Sequence, residues 1–471
     1  MLDVHFGVIL LTAAFYLVLN RTAMAFPAGV VSYVSLGSLS TLVELWWGID
    51  SRVTAPSLAA GILLSAYLML RPNHKVALWG LVYGASAGGL LFAIDQASRY
   101  LGLSSIAFTD GHTLLTRSYE FSIGNTDLIL GSTGLKRGFG LSALHAQGFE
   151  GEYLVGLMPF IMVAAIVATL LLLLQVFGRN SASYVSVGVM VVSSLFVEAI
   201  SRHFYLVNSH SLSWLGMAIL VGVVLRSRER ELRTGEWLLA VVTFSSMGFL
   251  RVDYVVIFTV LGFLIATFQA KLSPIWASIP IPIMALSSFS WIVTVTDRFP
   301  FGGTAGLYLY LILGTSLPIL LTLLVRRGVL TSSVFLGRPY WYLIGAMLLF
   351  FLSQVSLVPS LQSLFINLML GEGLWGGFFY FVIVLVLVSV TLLIKEKHEV
   401  NLLARLFFMT LLTYLILKTF DNFEVRGVAA GFSRIGFGDS FNRTLIIWLP
   451  FVFILVAWVQ HQITRKSQQT S

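Results

Sequence analysis

The sequence predicts an all-α fold: a polytopic transmembrane bundle of about fifteen spans, with a long extracytoplasmic loop bearing an interfacial helix. Three observations predict it. Of the 471 residues, 57% are hydrophobic and only 11% are charged, where a soluble chain carries roughly 25% charged residues. Mean hydropathy is +0.90. Apolar runs of about 18 residues or more, each long enough to cross hydrocarbon, recur from end to end. Backbone groups in lipid must be satisfied internally, and uniformly apolar runs of this length do that as helices.

The elements follow in order. Spans at 5–20, 24–48, 54–70 and 76–95 come first. The opening "MLDVHF" lacks a basic leader, so the first run is read as a retained span and not a cleaved signal. A polar gap of about 55 residues, 96–152, separates these from spans at 153–177 and 182–200. The runs 212–225 and 236–250 are short for a crossing. The remaining spans are 252–270, 274–296, 304–325, 339–360, 374–394, 401–418 and 444–463. No stretch is long and polar enough to form a separate soluble domain.

Charge sets orientation, because basic residues hold loops on the cytoplasmic side. With the N-terminus outside, the inner loops receive 17 of the 29 basic residues, and the outer side receives 16 of the 21 acids. The 96–152 loop and a second one at 419–443 then face outward, and the C-terminus lies inside. The pI near 9.6 and net charge of +8 reflect these topology anchors and not a nucleic-acid partner. Absence of cysteine excludes disulfides, thiolate metal sites and cysteine nucleophiles. The sequence has no P-loop, no GxSxG, no HExxH and no GxGxxG in a dinucleotide-binding setting, which argues against soluble nucleotide chemistry. Charges in mid-span are scarce, which counts against an ion-coupled carrier.

Ionisable residues gather on the outer face. "FTDGHTLLTRSYEF" places Asp110, His112, Arg117 and Glu120 within about a dozen residues. Further along the loop lie Lys136, Arg137, Glu150 and Glu152. The plain reading is a wetted loop. The functional one is a carboxylate poised over a cavity at the bilayer surface, acting as general base. "GFGLSALHAQGF" sets Phe139, Leu141, Leu144 and Phe149 among small and polar residues, the pattern of a helix lying at the interface, with two cations just before it. "SRHFYLVNSHS" carries Arg202, His203, Asn208 and His210; hydrogen bonding at the membrane edge is the plainer use, and a divalent cation the sharper one. "GFLRVDY" interrupts two apolar runs with Arg251 and Asp253. They mark a hairpin tip, or Arg251 grips a lipid phosphate through paired hydrogen bonds. Arg426, Arg434 and Arg443 of the last outer loop suit the same role. "RSRERELRTGEW" reads as a cytoplasmic topology anchor.

The region 90–268 resembles integral membrane glycosyltransferases of the GT-C class. The likeness is carried by "TDGHTLL", "LKRGFGLSALHAQGFEGEYLVGLMPF", "SRHFYLVNSHSLSWLGMAIL", "RSRERELRTGEW" and "GFLRVDYVV", in that order. About four spans precede the acidic loop here, where the family has one. The resemblance implies a catalytic module at 76–270, between N-terminal helices 1–75 and C-terminal helices 271–471. It implies an inverting transfer of a sugar from a polyprenyl-phosphate donor to a hydroxyl of a glycan, lipid or protein. The transfer would occur at the outer face of a prokaryotic cytoplasmic membrane. Asp110 would be the base, with Glu120 and Glu152 as alternatives and His112 beside it. Lys136, Arg137, Arg202, His210, Arg251, Asp253, Arg426 and Arg434 would bind substrate. No cofactor is specified by the resemblance, and a divalent cation is the candidate. Two other readings stay open: a polysaccharide polymerase or ligase using lipid-diphosphate glycans, and a transporter without chemistry.

Overall fold

The computed structural model describes residues 2–20, 22–103, 109–122, 140–146, 154–295, 303–328, 362, 365–393, 402–403, 405–407, 409–414 and 443–470. The regular elements are α-helices: α1 (Leu2–Val18), α2 (Ala25–Trp47), α3 (Ser51–Leu70), α4 (His74–Tyr100), α5 (Thr109–Ser122), α6 (Gly140–Ala146), α7 (Leu157–Phe177), α8 (Ser181–Phe196) and α9 (Glu198–Ser201). A short 3₁₀ turn, Arg202–Phe204, leads to α10 (His210–Glu229), α11 (Thr234–Leu250), α12 (Val252–Phe268), α13 (Pro274–Ser278), α14 (Pro280–Val295) and α15 (Gly303–Arg326). Then come α16 (Gly376–Leu393), a 3₁₀ turn at Leu445–Trp448 and α17 (Leu449–Thr470). Among the described residues no strand is formed.

Six of these helices are long and apolar enough to cross a membrane, or seven if the bent pair at 181–204 counts as one span. Several shorter apolar helices, α11, α12 and α14 among them, accompany them. The expected span 339–360 lies outside the described residues, as do parts of 401–418, and the count of fifteen is not reached among the residues described. Two expected spans are broken. The run 182–200 bends by 79° between α8 and α9. The run 274–296 divides at Pro280, which cannot donate a backbone hydrogen bond to the turn before it. Polar residues start the helices where the apolar runs begin: Asn73 Oδ1 accepts from Val76 N at 3.0 Å, and Asn180 Oδ1 from Ser183 N at 3.0 Å.

The chain forms two compact units, Met1–Ala168 with Phe204–Leu330, and Thr169–His203 with Thr331–Ser471. These are packing units, cut at different places from the functional modules expected at 75 and 270.

In the first unit α1 packs against α2, α3 and α4. Glycines let the backbones approach. A Cβ on Gly84 of α4 would stand 2.3 Å from the Ile9 carbonyl oxygen, and one on Gly88 would stand 2.4 Å from the Ile9 side chain. With Gly80 they form a small-residue stripe at four-residue spacing, the usual device where hydrophobic transfer cannot drive helices together in lipid. The outer faces of α3 and α4 are exposed and apolar, with Leu64, Leu68, Leu78 and Trp79 all more than half exposed. Such faces suit lipid. We predict that Gly84→Ala costs about 1–3 kcal/mol by overpacking. Gly61→Ala on α3 meets nothing within 4 Å and should be neutral or slightly stabilising. Thermal unfolding in detergent checks both, and equal melting temperatures for the two variants would count against the α1–α4 packing.

The centre of this unit is α11, which packs on α2, α10, α12 and α14. Hydroxyls stitch it in. Ser245 Oγ lies 2.6 Å from Ser35 Oγ and 3.0 Å from Ser287 Oγ. Ser246 Oγ donates to Val31 O at 2.6 Å, and Ser288 Oγ donates to Gly248 O at 2.8 Å. Interhelical bonds of this kind satisfy polar atoms that lipid cannot. In the second unit α8 and α16 pack on α17, and Ser186 Oγ donates to Phe453 O at 2.5 Å.

Candidate functional site

Within the first unit, three stretches singled out in the sequence converge at one end of α11. The first is the 96–152 region. Its start and end are pinned together by Asp95, which is 1% exposed. One Asp95 oxygen accepts from Arg99 Nε at 2.8 Å, and the other accepts from Gly156 N at 2.8 Å. A Cβ on Gly156 would lie 2.4 Å from the Asp95 backbone, so only glycine fits this approach. Between these ends the polar stretch folds into α5, and α6 docks on it. Ser118 Oγ and Ser142 Oγ both donate to the Leu114 carbonyl, at 2.7 and 3.0 Å.

The sequence anticipates a helix in "GFGLSALHAQGF", and α6 is that helix. Its described side chains present no wet face, however. Residues 140–145 are all buried, Ser142 and His145 at 0% exposure. The reason is that α6 is covered by α5, α2 and α11. The Cβ position of Gly140 lies 3.0 Å from Leu250 Cδ2 and 3.4 Å from the Phe249 carbonyl. That puts α6 directly beside the α11–α12 junction.

The second and third stretches meet at that junction. Arg251 is extended, with φ −160° and ψ 144°, and it ends α11 and starts α12. Arg251 and Leu206, in the turn before α10, each take isolated-bridge backbone geometry. The Tyr254 hydroxyl lies 3.0 Å from His210 Nδ1 and 3.1 Å from Ser209 Oγ. Asn208 Oδ1 accepts from the His210 backbone N–H at 2.9 Å. The Arg251 guanidinium stands 5.8 Å from the Tyr254 ring centroid, within cation–π range. Tyr254, which joins His210 to Arg251, was missed in the sequence; its only signal was its place in "RVDY".

Several buried polar atoms near this end have no hydrogen-bond partner among the described residues: Glu120 Oε2, Asn208 Nδ2 and both ring nitrogens of His145. Buried polar groups are ordinarily satisfied by protein, water or ligand. Arg117 and Glu120 sit three apart on α5, and both are buried. Asp110 and His112 lie in the first turn of α5. Position 110 precedes 120 by ten residues, about 15 Å along a helix. The two acids therefore cannot serve one reacting atom.

The other expected residues are distributed as follows. Asp253 is in the first turn of α12. Arg202 belongs to the second unit and pairs with Glu198 at 2.5 Å. His203 Nδ1 lies 2.8 Å from Ala199 O. His203 and His210 thus each have one ring nitrogen on a protein partner. Lys136, Arg137, Glu152, Arg426 and Arg434 lie outside the described residues. Among the described residues no three His, Cys, Asp or Glu side chains come together as a metal site.

Burial pushes the His145 imidazole down to about 4 from an ordinary 6.5. The folded form therefore holds His145 neutral, while an opened form takes up a proton below pH 6.5. Between pH 6.5 and about 4 the open form binds more protons, so docking of α6 weakens as pH falls through that window, by up to about 3 kcal/mol. Hydrogen exchange at 140–146, corrected for intrinsic rates, should accelerate from pH 7.5 to pH 5. His145→Phe should remove that dependence, and an unchanged pH profile in this variant would count against it.

No protein-family model matches the chain, and neither a curated protein nor a solved structure is similar to it at a significant level.

Proposed function

We propose that the chain is a membrane glycosyltransferase. It moves a sugar from a polyprenyl-phosphate donor to a hydroxyl acceptor at the extracytoplasmic face. The observation that supports this best is the docking of α6, on which α5 packs, beside the Arg251–Tyr254–His210 cluster at one end of α11. A carboxylate-bearing helix, a guanidinium at a helix junction and unpartnered buried polar atoms are what a lipid-phosphate sugar and its acceptor require.

The chemistry follows from those groups. Asp110 takes the proton of the acceptor hydroxyl as its oxygen bonds to the anomeric carbon from the face opposite the phosphate. The bond from that carbon to the phosphate oxygen breaks, and polyprenyl phosphate leaves with the electron pair. Arg251 stabilises the charge that develops on it. Inversion results from the single displacement. His210, held by Tyr254 and by the Asn208 cap, lies beside this phosphate position. Glu120 is the competing base, favoured by its buried, unpartnered oxygen.

The test is donor use by the purified chain in liposomes. A synthetic polyprenyl-phosphate hexose and pentose are compared with the corresponding diphosphates, and release of the lipid phosphate is measured. The proposal expects consumption of a monophosphate donor. Consumption of diphosphate donors alone moves the polymerase reading ahead, and solute flux without donor consumption moves the transporter reading ahead.

A further inference from the structure

A charged cavity lies at the ends of α10 and α11 opposite Arg251. It measures about 260 Å³ and is lined by Val18, Leu19, Asn20, Thr22, Arg226, Arg230, Arg233 and Glu236. Along the 17 residues of α11 this places it about 25 Å from Arg251. It is built from the stretch "RSRERELRTGEW", which the sequence presents as a plain topology anchor.

Its parts are arranged and not merely solvated. Glu236 is only 8% exposed at its side chain and holds two arginines: Arg230 through 2.7 and 2.9 Å bonds to its two oxygens, and Arg226 at 3.1 Å. The same carboxylate accepts the Arg233 backbone N–H at 3.0 Å, closing the first turn of α11. Two guanidiniums thus share the Glu236 carboxylate, and Glu229 adds a further negative charge near Arg230. The Arg233 guanidinium makes no ion pair among the described residues. On the facing wall, the end of α1 contributes the apolar Val18 and Leu19 and the polar Asn20 and Thr22. A volume near nine waters, at about 30 Å³ each, exceeds what a single ordered water fills.

We infer that this cavity is a binding site for a phosphate ester. Arginines fix phosphate oxygens through paired hydrogen bonds, and the Arg233 guanidinium at this cavity has no carboxylate partner among the described residues. The apolar wall and the place at the end of two apolar helices fit a phosphate carried on a lipid. Basic pockets between helices at a cytoplasmic boundary bind such headgroups. A soluble phosphate ester has the same anionic chemistry and differs only in lacking acyl chains. The site does not depend on the donor chemistry at the other end, so failure of one leaves the other standing.

The experiment uses the full chain in neutral detergent. Retention of phosphatidic acid is measured by native mass spectrometry against phosphatidylcholine, with inorganic phosphate and glycerol phosphate as soluble competitors. The wild type should retain one phosphatidic acid per chain. Arg233→Ala removes an unpaired cation and should weaken retention about fivefold. Glu236→Gln removes the opposing charge and should strengthen it, a change of sign that general loss of folding does not produce. Competition by glycerol phosphate at low millimolar concentration assigns the site to a soluble ester, and its absence assigns it to a lipid. Equal binding of all probes by the wild type and both variants overturns the inference.

Discussion

Asp110→Asn is expected to cut the rate of sugar transfer by about 10²–10⁴, the usual contribution of a general base. The change keeps the side chain's size and removes its basicity. Donor binding should alter little, because a carboxylate that faces the acceptor contributes nothing favourable to a donor phosphate. The structure sharpens the control. Glu120 stands about 15 Å along α5 from position 110, so the two acids cannot substitute for one another. Glu120→Gln should be the milder change in rate. Single-turnover kinetics with saturating donor separate the two. Normal turnover by Asp110→Asn alongside a dead Glu120→Gln would transfer the role to the buried acid, whose Oε2 has no hydrogen-bond partner among the described residues.

Arg251→Ala should weaken use of the donor at limiting concentration by roughly 10- to 150-fold, from the loss of charge-assisted hydrogen bonds worth about 1.5–3 kcal/mol. Arg251→Lys should restore only part of this, since an ammonium keeps the charge and loses the planar fork. Arg251 also lies over the Tyr254 ring, 5.8 Å from its centroid. A purely structural role is therefore the rival explanation. Tyr254→Phe separates the two. It keeps the ring for the guanidinium and removes the hydroxyl that meets Ser209 and His210. If Arg251 acts on the donor phosphate, its alanine variant loses donor affinity while thermal stability stays close to that of Tyr254→Phe. Full turnover of Arg251→Ala at limiting donor would reduce this residue to a hairpin marker.

Hydropathy made the helices legible, because a run of apolar residues in lipid has few alternatives to a helix. The expected run 24–48 became α2 (Ala25–Trp47), and 252–270 became α12 (Val252–Phe268). Breaks were harder to read. Pro280 is a visible stop, but the 79° bend at Val197 carries no glycine or proline at the break. Packing left a trace that hydropathy does not weigh: Gly80, Gly84 and Gly88 are invisible as apolar residues and decisive as small ones.

At the candidate site, the polar stretch, the His210 turn and the Arg251 junction were each readable as oddities in an apolar chain. Their convergence was not, because it depends on how α6, α10, α11 and α12 pack. The amphipathic pattern of α6 suggested a surface helix, and only tertiary contact shows it buried on every described side. Glu236 hid in a charge run in the same way, and its burial between Arg226 and Arg230 distinguishes it from a topology anchor.

Every functional assignment rests on which face of the membrane carries α5. The chain has no cysteine, so single cysteines report cleanly. Thr116 on α5 and Thr234 at the start of α11 are both exposed positions. With an impermeant thiol reagent on intact cells, Thr116→Cys should be labelled at once and Thr234→Cys only after the membrane is opened. Labelling of Thr234→Cys but not Thr116→Cys in intact cells would place the polar helix in the cytoplasm and contradict the account.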